Sequence, residues 1–413
     1  MSVPKLRFQH EDGTSYPEWK DFISLENCCE FISKGATPTT YGFKWEESGI
    51  PFFRNDAIKN NTFVYGDYSF ISDQANALLN RSEIRSNDIL IAITGDIGKV
   101  GIVPKDIVKG NINQHLARIR IVQNSIPYFV YQYLCTEKVQ TNYQKIKTGL
   151  SMPQLSLEQI RKTMIPVVSI EEQQKIVNIL YAIDEIIAQS ESEVSNLERQ
   201  KKAAMQKIFS LESRFLDSNG HNYPIWEEMK FADLYEEASE GSTPSTSVKD
   251  YYDNGTIPFV KIEDTVNKYI NNVNTYITDK GLRSCSAWLI PKNSVIFTNG
   301  ATIGNVAINT IPVTTKQGIL GIIPKTFVTS EFLYYLLSDS NFQHEVYRRQ
   351  AKGTFATIIL KSLNEISVKI PCLEEQNKIT GFLSAYDEAV SYAKQELEKW
   401  KELKKGLLQQ MFV

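Results

Sequence analysis

The chain has four imidazoles, His10, His115, His221 and His344, and none stands at metal-ligand spacing from another His or Cys. Its five cysteines, Cys28, Cys29, Cys135, Cys285 and Cys372, are scattered and form no CxxC pair. There is no GxxxxGK[ST] phosphate loop, no GxSxG nucleophile turn, no HExxH and no GxGxxG. GDIGKV at 95–100 has only two residues between Gly95 and Gly98 and lacks Ser or Thr after Lys99, so it does not bind a nucleotide. A methyltransferase would need a glycine-rich loop and a polar-Pro-Pro-aromatic motif, and neither is present. No catalytic residue, no metal and no cofactor is therefore expected of the chain itself. The remaining candidates are amides, hydroxyls and cations, whose chemistry is hydrogen bonding to an anionic or base-bearing partner.

Those polar residues recur in pairs, because the chain aligns with itself at about half its length. RF at 7–8 returns at 214–215, and SYPEW at 15–19 returns as NYPIW at 222–226. KGATP (34–38) matches EGSTP (240–244), and GIPFF (49–53) matches TIPFV (256–260). GDIGKVGI (95–102) matches GATIGNVAI (300–308), NQHL (113–116) matches KQGI (316–319), and IEEQQKI (170–176) matches LEEQNKI (373–379). KKAAMQKIF (201–209) closes the first copy and KKGLLQQMF (404–412) the second.

Each matched pair suggests a contact. Glycine beside small hydroxyls lets backbone amides approach phosphate, which makes Lys34, Thr37 and Thr243 candidates; a plain turn is the alternative. After the IPF runs stand Arg54, Asn55 and Lys59 in one copy, and Lys261 and Glu263 in the other. Arg pairs with guanine, Asn with adenine, and Glu accepts from cytosine N4. Thr94 and Lys99 face Asn299 and Asn305. Gln114 matches Gln317, beside Lys316; glutamine reads adenine bidentately, and a buried structural amide is the alternative. Lys145, Lys147 and Thr148, against Arg348, Arg349, Lys352 and Thr354, form late basic loops suited to phosphate.

The elements that must position these residues follow one plan in each half. Short β-rich runs such as DILIAITG and NSVIFTNG are broken by Gly, Pro, Asn and Asp. One helical pattern comes late in each region, IPYFVYQYLCTEKVQTNYQ and SEFLYYLLSDSNFQHEVYRR. Pro166 and Pro371 then precede a new helix, and Ser169 and Glu172 have capping-box spacing. In the first long helix Ile176, Leu180, Ile183, Ile187, Val194, Leu197, Ala204 and Ile208 alternate four and three apart. In the second, Ile379, Leu383, Tyr386, Val390, Ala393, Leu397, Trp400, Leu407 and Met411 keep the same phase. This is the seam of a coiled coil, with Lys201 and Lys404 at equivalent seam positions, where they set register or snorkel outward. About forty helical residues span roughly 60 Å, and a two-fold relation of the repeats would run the helices antiparallel. The expected fold is α+β: globular domains at 1–168 and 213–372, separated by two long helices at 169–212 and 373–413 that form an antiparallel coiled coil.

Composition is that of a globular protein, 42% hydrophobic and 23% charged, with a net charge of −3. No apolar run approaches the roughly 18 residues of a membrane span. The start, MSVPKLRFQHEDG, has no signal-peptide core, and the cysteines suit a reducing compartment, so a cytoplasmic location is expected. The near-neutral average hides basic stretches: 280–325 holds five cations and no acid, and 138–162 five cations and one acid. Two similar domains on a rigid spacer suit a ligand with two separated sites, and a duplex offers half-sites about one turn, roughly 34 Å, apart. A protein–protein scaffold with two binding modules is the competing reading.

Taken together, the YPEW and YPIW starts, the KGATP and EGSTP loops, the GDIGKVGI and GATIGNVAI segments and the twice-used IP-to-EEQ entry into a long helix resemble the specificity subunit of type I restriction-modification enzymes. The resemblance covers nearly the whole chain. It implies two target recognition domains, each reading half of a bipartite double-stranded DNA sequence, and helices that set the gap. It also implies docking of two modification (methyltransferase) subunits, and of two restriction subunits in the full enzyme. S-adenosylmethionine, ATP and magnesium would then belong to those partners.

Overall fold

The computed structural model describes residues 4–122, 124–149, 151–351 and 357–412. The chain divides into two compact units: one is 1–191 with 395–413, the other 192–394. Both long helices contribute to both units.

In the first unit, strands β1 (Cys29–Lys34), β2 (Ile50–Phe53), β3 (Ser69–Ile71), β4 (Glu83–Ile84), β5 (Ile89–Ala92), β6 (Val100–Ile102), β7 (Gly110–Ile112) and β8 (Leu116–Ile121) build two sheets. Their orders are β1-β8-β5-β6 and β3-β2-β7-β4. β5 is ILIA and buried at every position, as a continuous apolar run covered on both faces should be. Helices α1 (Pro127–Leu134) and α2 (Glu137–Ile146) pack on this core before the long helix α3 (Ile170–Phe209) begins.

The second unit repeats the plan with β9 (Tyr235–Glu240), β10 (Ile257–Val260), β11 (Tyr269–Ile270), β12 (Tyr276–Ile277), β13 (Val295–Thr298), β14 (Val306–Asn309), β15 (Thr314–Thr315) and β16 (Ile319–Pro324). The sheets run β9-β16-β13-β14-β11 and β12-β10-β15. Helices α4 (Ser330–Ser338) and α5 (Ser340–Arg349) follow, and then the long helix α6 (Leu373–Met411).

The late helical pattern of each half, expected as one helix, is two. Thr136 and Asp339 take extended backbone angles (φ −62°, ψ 146° and φ −67°, ψ 145°) and restart the chain in a new direction. The Asp339 carboxylate accepts from the Asn341 amide, so a polar N-cap ends one helix by starting the next.

The repeated motifs are built into the cores. Glu172, 1% exposed, accepts both Arg7 Nε (3.0 Å) and Arg7 Nη2 (2.8 Å), and also Trp19 Nε1 (3.0 Å). Glu375, 0% exposed, does the same with Arg214 (3.2 and 2.6 Å) and Trp226 (2.9 Å). The next residue is also enclosed. Gln173 accepts the Ile126 amide and donates to Val168 O; Gln376 accepts the Thr329 amide and donates to Pro371 O. The RF, YPxW and EEQ landmarks therefore form one staple per repeat, clamping the start of each domain to the start of its long helix.

Within each unit the long helices run antiparallel, since residue numbers rise along one as they fall along the other. Asp184 meets Lys404 (2.6 Å) and Glu191 meets Lys401 (2.9 Å) in the first unit. Asp387 meets Lys201, and Glu198 meets Lys394 (2.6 Å), in the second. Ile176, Leu180, Ile183, Val194, Ile208, Ile379, Leu383, Leu397 and Met411 are buried; Ile187, Leu197, Tyr386, Val390, Trp400 and Leu407 are half-buried.

The seam lysines turn inward to a carboxylate of the other helix rather than outward to solvent. Asp184 also accepts from Tyr128 and from Gln132 (2.7 Å). Asp387 also accepts from Tyr335 and Lys268 (3.1 Å). Burial alone would raise the pKa of Asp387, but the bonds from Lys201 and Tyr335 outweigh it and hold the carboxyl below its usual range. Burial lowers the pKa of Lys268 against the pull of Asp387.

Candidate nucleic-acid interface

Strands β2 and β7 pair in parallel, Phe52 beside Asn111 and Phe53 beside Ile112. Parallel strands leave a sheet at the same end, so Arg54 and Asn113–Gln114 emerge together. The Asn113 amide donates to Phe53 O (3.0 Å) and locks the two exits side by side. The Gly35 amide donates to Leu116 O (3.1 Å), and a Cβ on Gly35 would lie 1.9 Å from Ile112 O. Only glycine lets this loop lie so close to the strand end. Thr37 then donates to the Gln114 carboxamide oxygen (2.6 Å), joining two exposed loops. The His115 carbonyl accepts the Ile93 amide, the Ile93 carbonyl accepts the Leu155 amide, and Gln154 bridges both Thr94 and Thr148. Five segments far apart in the chain thus converge.

The second unit brings the same five together. β10 and β15 pair in parallel, and the Lys316 amide donates to Val260 O (3.2 Å), placing Lys261 beside Lys316 and Gln317. The Gly241 amide donates to Ile319 O, and a Cβ there would lie 1.9 Å from Thr315 O. The Asn299 and Gly300 amides both donate to Gly318 O, and Thr357 bridges Gly300 and Ala351. Glu240 accepts the Gly318 amide (2.6 Å), so a carboxylate stands where the first unit carries exposed Lys34.

The polar candidates fall into three groups. Lys34, Asn55, Lys59, Gln114, Lys145, Lys147, Thr148, Thr243, Glu263, Gln317 and Arg348 are exposed, and Thr37, Arg54, Thr94, Lys99, Lys261, Lys316 and Arg349 are half-buried. Some are engaged internally: Lys99 pairs with Asp96 (2.8 Å), Lys147 donates to Gln144 (3.1 Å), and Arg348 and Arg349 both hold Glu345. Asn299 and Asn305 turn inward. Asn299 is 5% exposed and donates to Ile358 O, and Asn305 donates to Thr265 Oγ1 (3.2 Å). The Asn299 side-chain amide holds loop backbone and the Asn305 amide holds the Thr265 hydroxyl, so both donors are engaged internally. Lys352 and Thr354 lie outside the described residues. The matched glutamines, open at the sequence level between surface and core, are both exposed.

Sequence reasoning missed Trp45 and Ser69, which hold Arg54: its guanidinium lies over the Trp45 ring (5.2 Å), and its Nη2 donates to Ser69 (2.9 Å). No repeat signal marks them. It also missed Asp184 and Asp387, which the recurrence of AIDE and AYDE inside the matched helices could have flagged. Among the described residues no group of three or more His, Cys, Asp or Glu could hold a metal ion, and no helix is long and apolar enough to cross a membrane.

A duplicated α+β chain with one polar, loop-built surface per copy, carried on paired long helices, is the class that fold and site define. The type I restriction modification DNA specificity domain matches twice, at 17–199 and 225–402, so the chain belongs to that family. It is 34% identical over 209 residues to the type I restriction enzyme MjaIX specificity subunit of Methanocaldococcus jannaschii, covering 50% of this chain and 48% of that relative. It is 22% identical over 423 residues to the MjaVIII specificity subunit of the same organism, covering 97% and 94%. Among solved structures, the type I restriction-modification S subunit from M. genitalium superposes with a TM-score of 0.59 at 16% identity, over 100% of this chain and 99% of that one. A chain from a study of type I R-M complex assembly and conformational transition gives 0.58 at 19%, over 96% and 98%. At these identities the structural likeness speaks for the fold.

Proposed function

We propose that the chain is the DNA-reading subunit of a type I restriction-modification complex, each repeat recognising one half of an asymmetric bipartite target. The observation that carries this is the twice-built surface at matched strand exits, where equivalent positions hold different chemistry. Beside the shared glutamines Gln114 and Gln317, Arg54 and Asn55 stand in one copy, and Lys261 and Glu263 in the other. Equal scaffolds with unequal hydrogen-bonding groups suit two different half-site sequences. Domains at 1–168 and 213–372 do the reading, with the surrounding lysines and arginines positioning each on phosphate. The long helices set the gap between half-sites and dock two modification subunits, with two restriction subunits completing the nuclease. Adenine methylation with S-adenosylmethionine and ATP-driven cleavage with magnesium belong to those partners, and the complex works in the cytoplasm.

The test is single-molecule sequencing for methyladenine in a host carrying this chain with its neighbouring modification subunit. An asymmetric split motif is expected, and exchanging residues 1–165 for those of another specificity subunit should change one half of it. An assembled, cofactor-competent complex that produces no motif would overturn the reading in favour of the scaffold.

A further inference from the structure

Arg54 differs from the arginines that pair with an acid. Arg7, Arg85, Arg120, Arg214, Arg348 and Arg349 each hold a carboxylate within 4.0 Å. Arg54 holds none among the described residues, yet it is not loose. Trp45 supports the face of its guanidinium at 5.2 Å and Ser69 takes one Nη2 hydrogen. The platform is itself anchored, since Trp45 packs edge-on against Phe52 of β2 (5.2 Å), a ring 1% exposed. Nε and Nη1 have no hydrogen-bond partner among the described residues. A side chain with large rotamer freedom is thus held in one orientation, with no carboxylate within 4.0 Å among the described residues and part of its donor fork free.

Its position adds to this. Arg54 is the first residue past the end of β2, at the strand exit shared with Gln114 and next to the Gly35–Thr37 loop. A phosphate contact needs only a cation, and this surface offers Lys34 and Lys145 for that. A held planar fork matches two acceptors at fixed separation, and in the major groove guanine offers that pair as O6 and N7. The matching position of the second repeat is Lys261, a single ammonium, so this recognition belongs to the first repeat only.

We infer that Arg54 determines specificity by reading a guanine in the half-site of the first domain, with Trp45 and Ser69 as positioning residues. The inference rests on the proposed function. Its test uses the assembled complex with the modification subunit and reads the methyladenine motif of wild type, Arg54→Lys, Arg54→Ala and Trp45→Ala. One guanine in one half of the wild-type motif is expected to become degenerate in Arg54→Lys and Arg54→Ala. Preference at that position should fall about 10- to 100-fold, with the other half unchanged. Arg54→Lys keeps the charge and removes the fork, so it separates reading from folding and from phosphate attraction. Trp45→Ala should relax the same position less, which loss of packing alone would not confine to one base. A wild-type motif split into two halves but lacking guanine in the first domain's half would overturn the inference and leave the proposed function standing. So would an unchanged motif in Arg54→Lys, or a uniform fall in methylation at every site. Absence of any split motif in wild type would overturn both.

Discussion

Glu172 and Glu375 sit in their cores with almost no exposure, and each collects a bidentate arginine and an indole N–H. A carboxylate is tolerated there because its lone pairs are taken and its charge is matched. Removing it would strand an arginine that is only 16% exposed in the first repeat, together with a buried indole donor. Glu172→Ala is therefore expected to lower the stability of the first unit by about 3–5 kcal/mol, read by urea unfolding. Glu375→Ala should act similarly on the second unit. A loss under about 1 kcal/mol would mean that the staple is decoration rather than structure.

The same logic, one level up, sets the register of the long helices. An apolar seam repeating every three and four residues permits several antiparallel offsets, because one leucine fits another's place well enough. A lysine that must meet one aspartate permits far fewer. Lys404 with Asp184, and Lys201 with Asp387, are equivalent polar layers placed once in each unit. They are not equal in surroundings: Asp184 has one cation and two neutral donors, whereas Asp387 has Lys268 as a second cation. Double-mutant cycles with Asp→Asn and Lys→Met should give a coupling of about 1–3 kcal/mol for Asp184 with Lys404. The cycle for Asp387 with Lys201 should give less, because Lys268 still neutralises the carboxylate. Equal couplings would show that Lys268 contributes nothing to the layer.

At the scale of the molecule, the unit that begins the chain also contains residues 395–413. The Leu6 amide donates to Gln410 O (3.0 Å), and Phe412, 5% exposed, stacks among Phe129 (5.3 Å), Tyr133 (5.7 Å) and Trp19 (6.1 Å). Phe209 occupies the corresponding place in the second unit, against Phe332 and Trp226. The end of each long helix thus completes a core. Phe412→Ala is expected to cost about 3–5 kcal/mol in the first unit. Hydrogen exchange should locate the loss of protection in residues 4–191 and 395–412, with 213–372 largely retained. Equal loss in both units would contradict the separate cores.

Much of this architecture was legible in the sequence, because duplication, heptad spacing and the absence of catalytic motifs are local or periodic signals that survive without coordinates. The α+β repeats, the paired long helices and the family resemblance all rest on such signals. Other features depended on which distant segments the fold brings together. The same residue type reads identically whether it faces water or backbone: Gln114 turned outward and Asn299 inward only once the path of the loops was known. Arg54 gained its platform from Trp45, which no pattern links to it. Glu172 lies 165 residues from Arg7, and Asp387 lies 186 residues from Lys201. Only tertiary structure decides partnerships at such separations, because the energy of a buried polar group depends on what surrounds it and not on its neighbours in the chain.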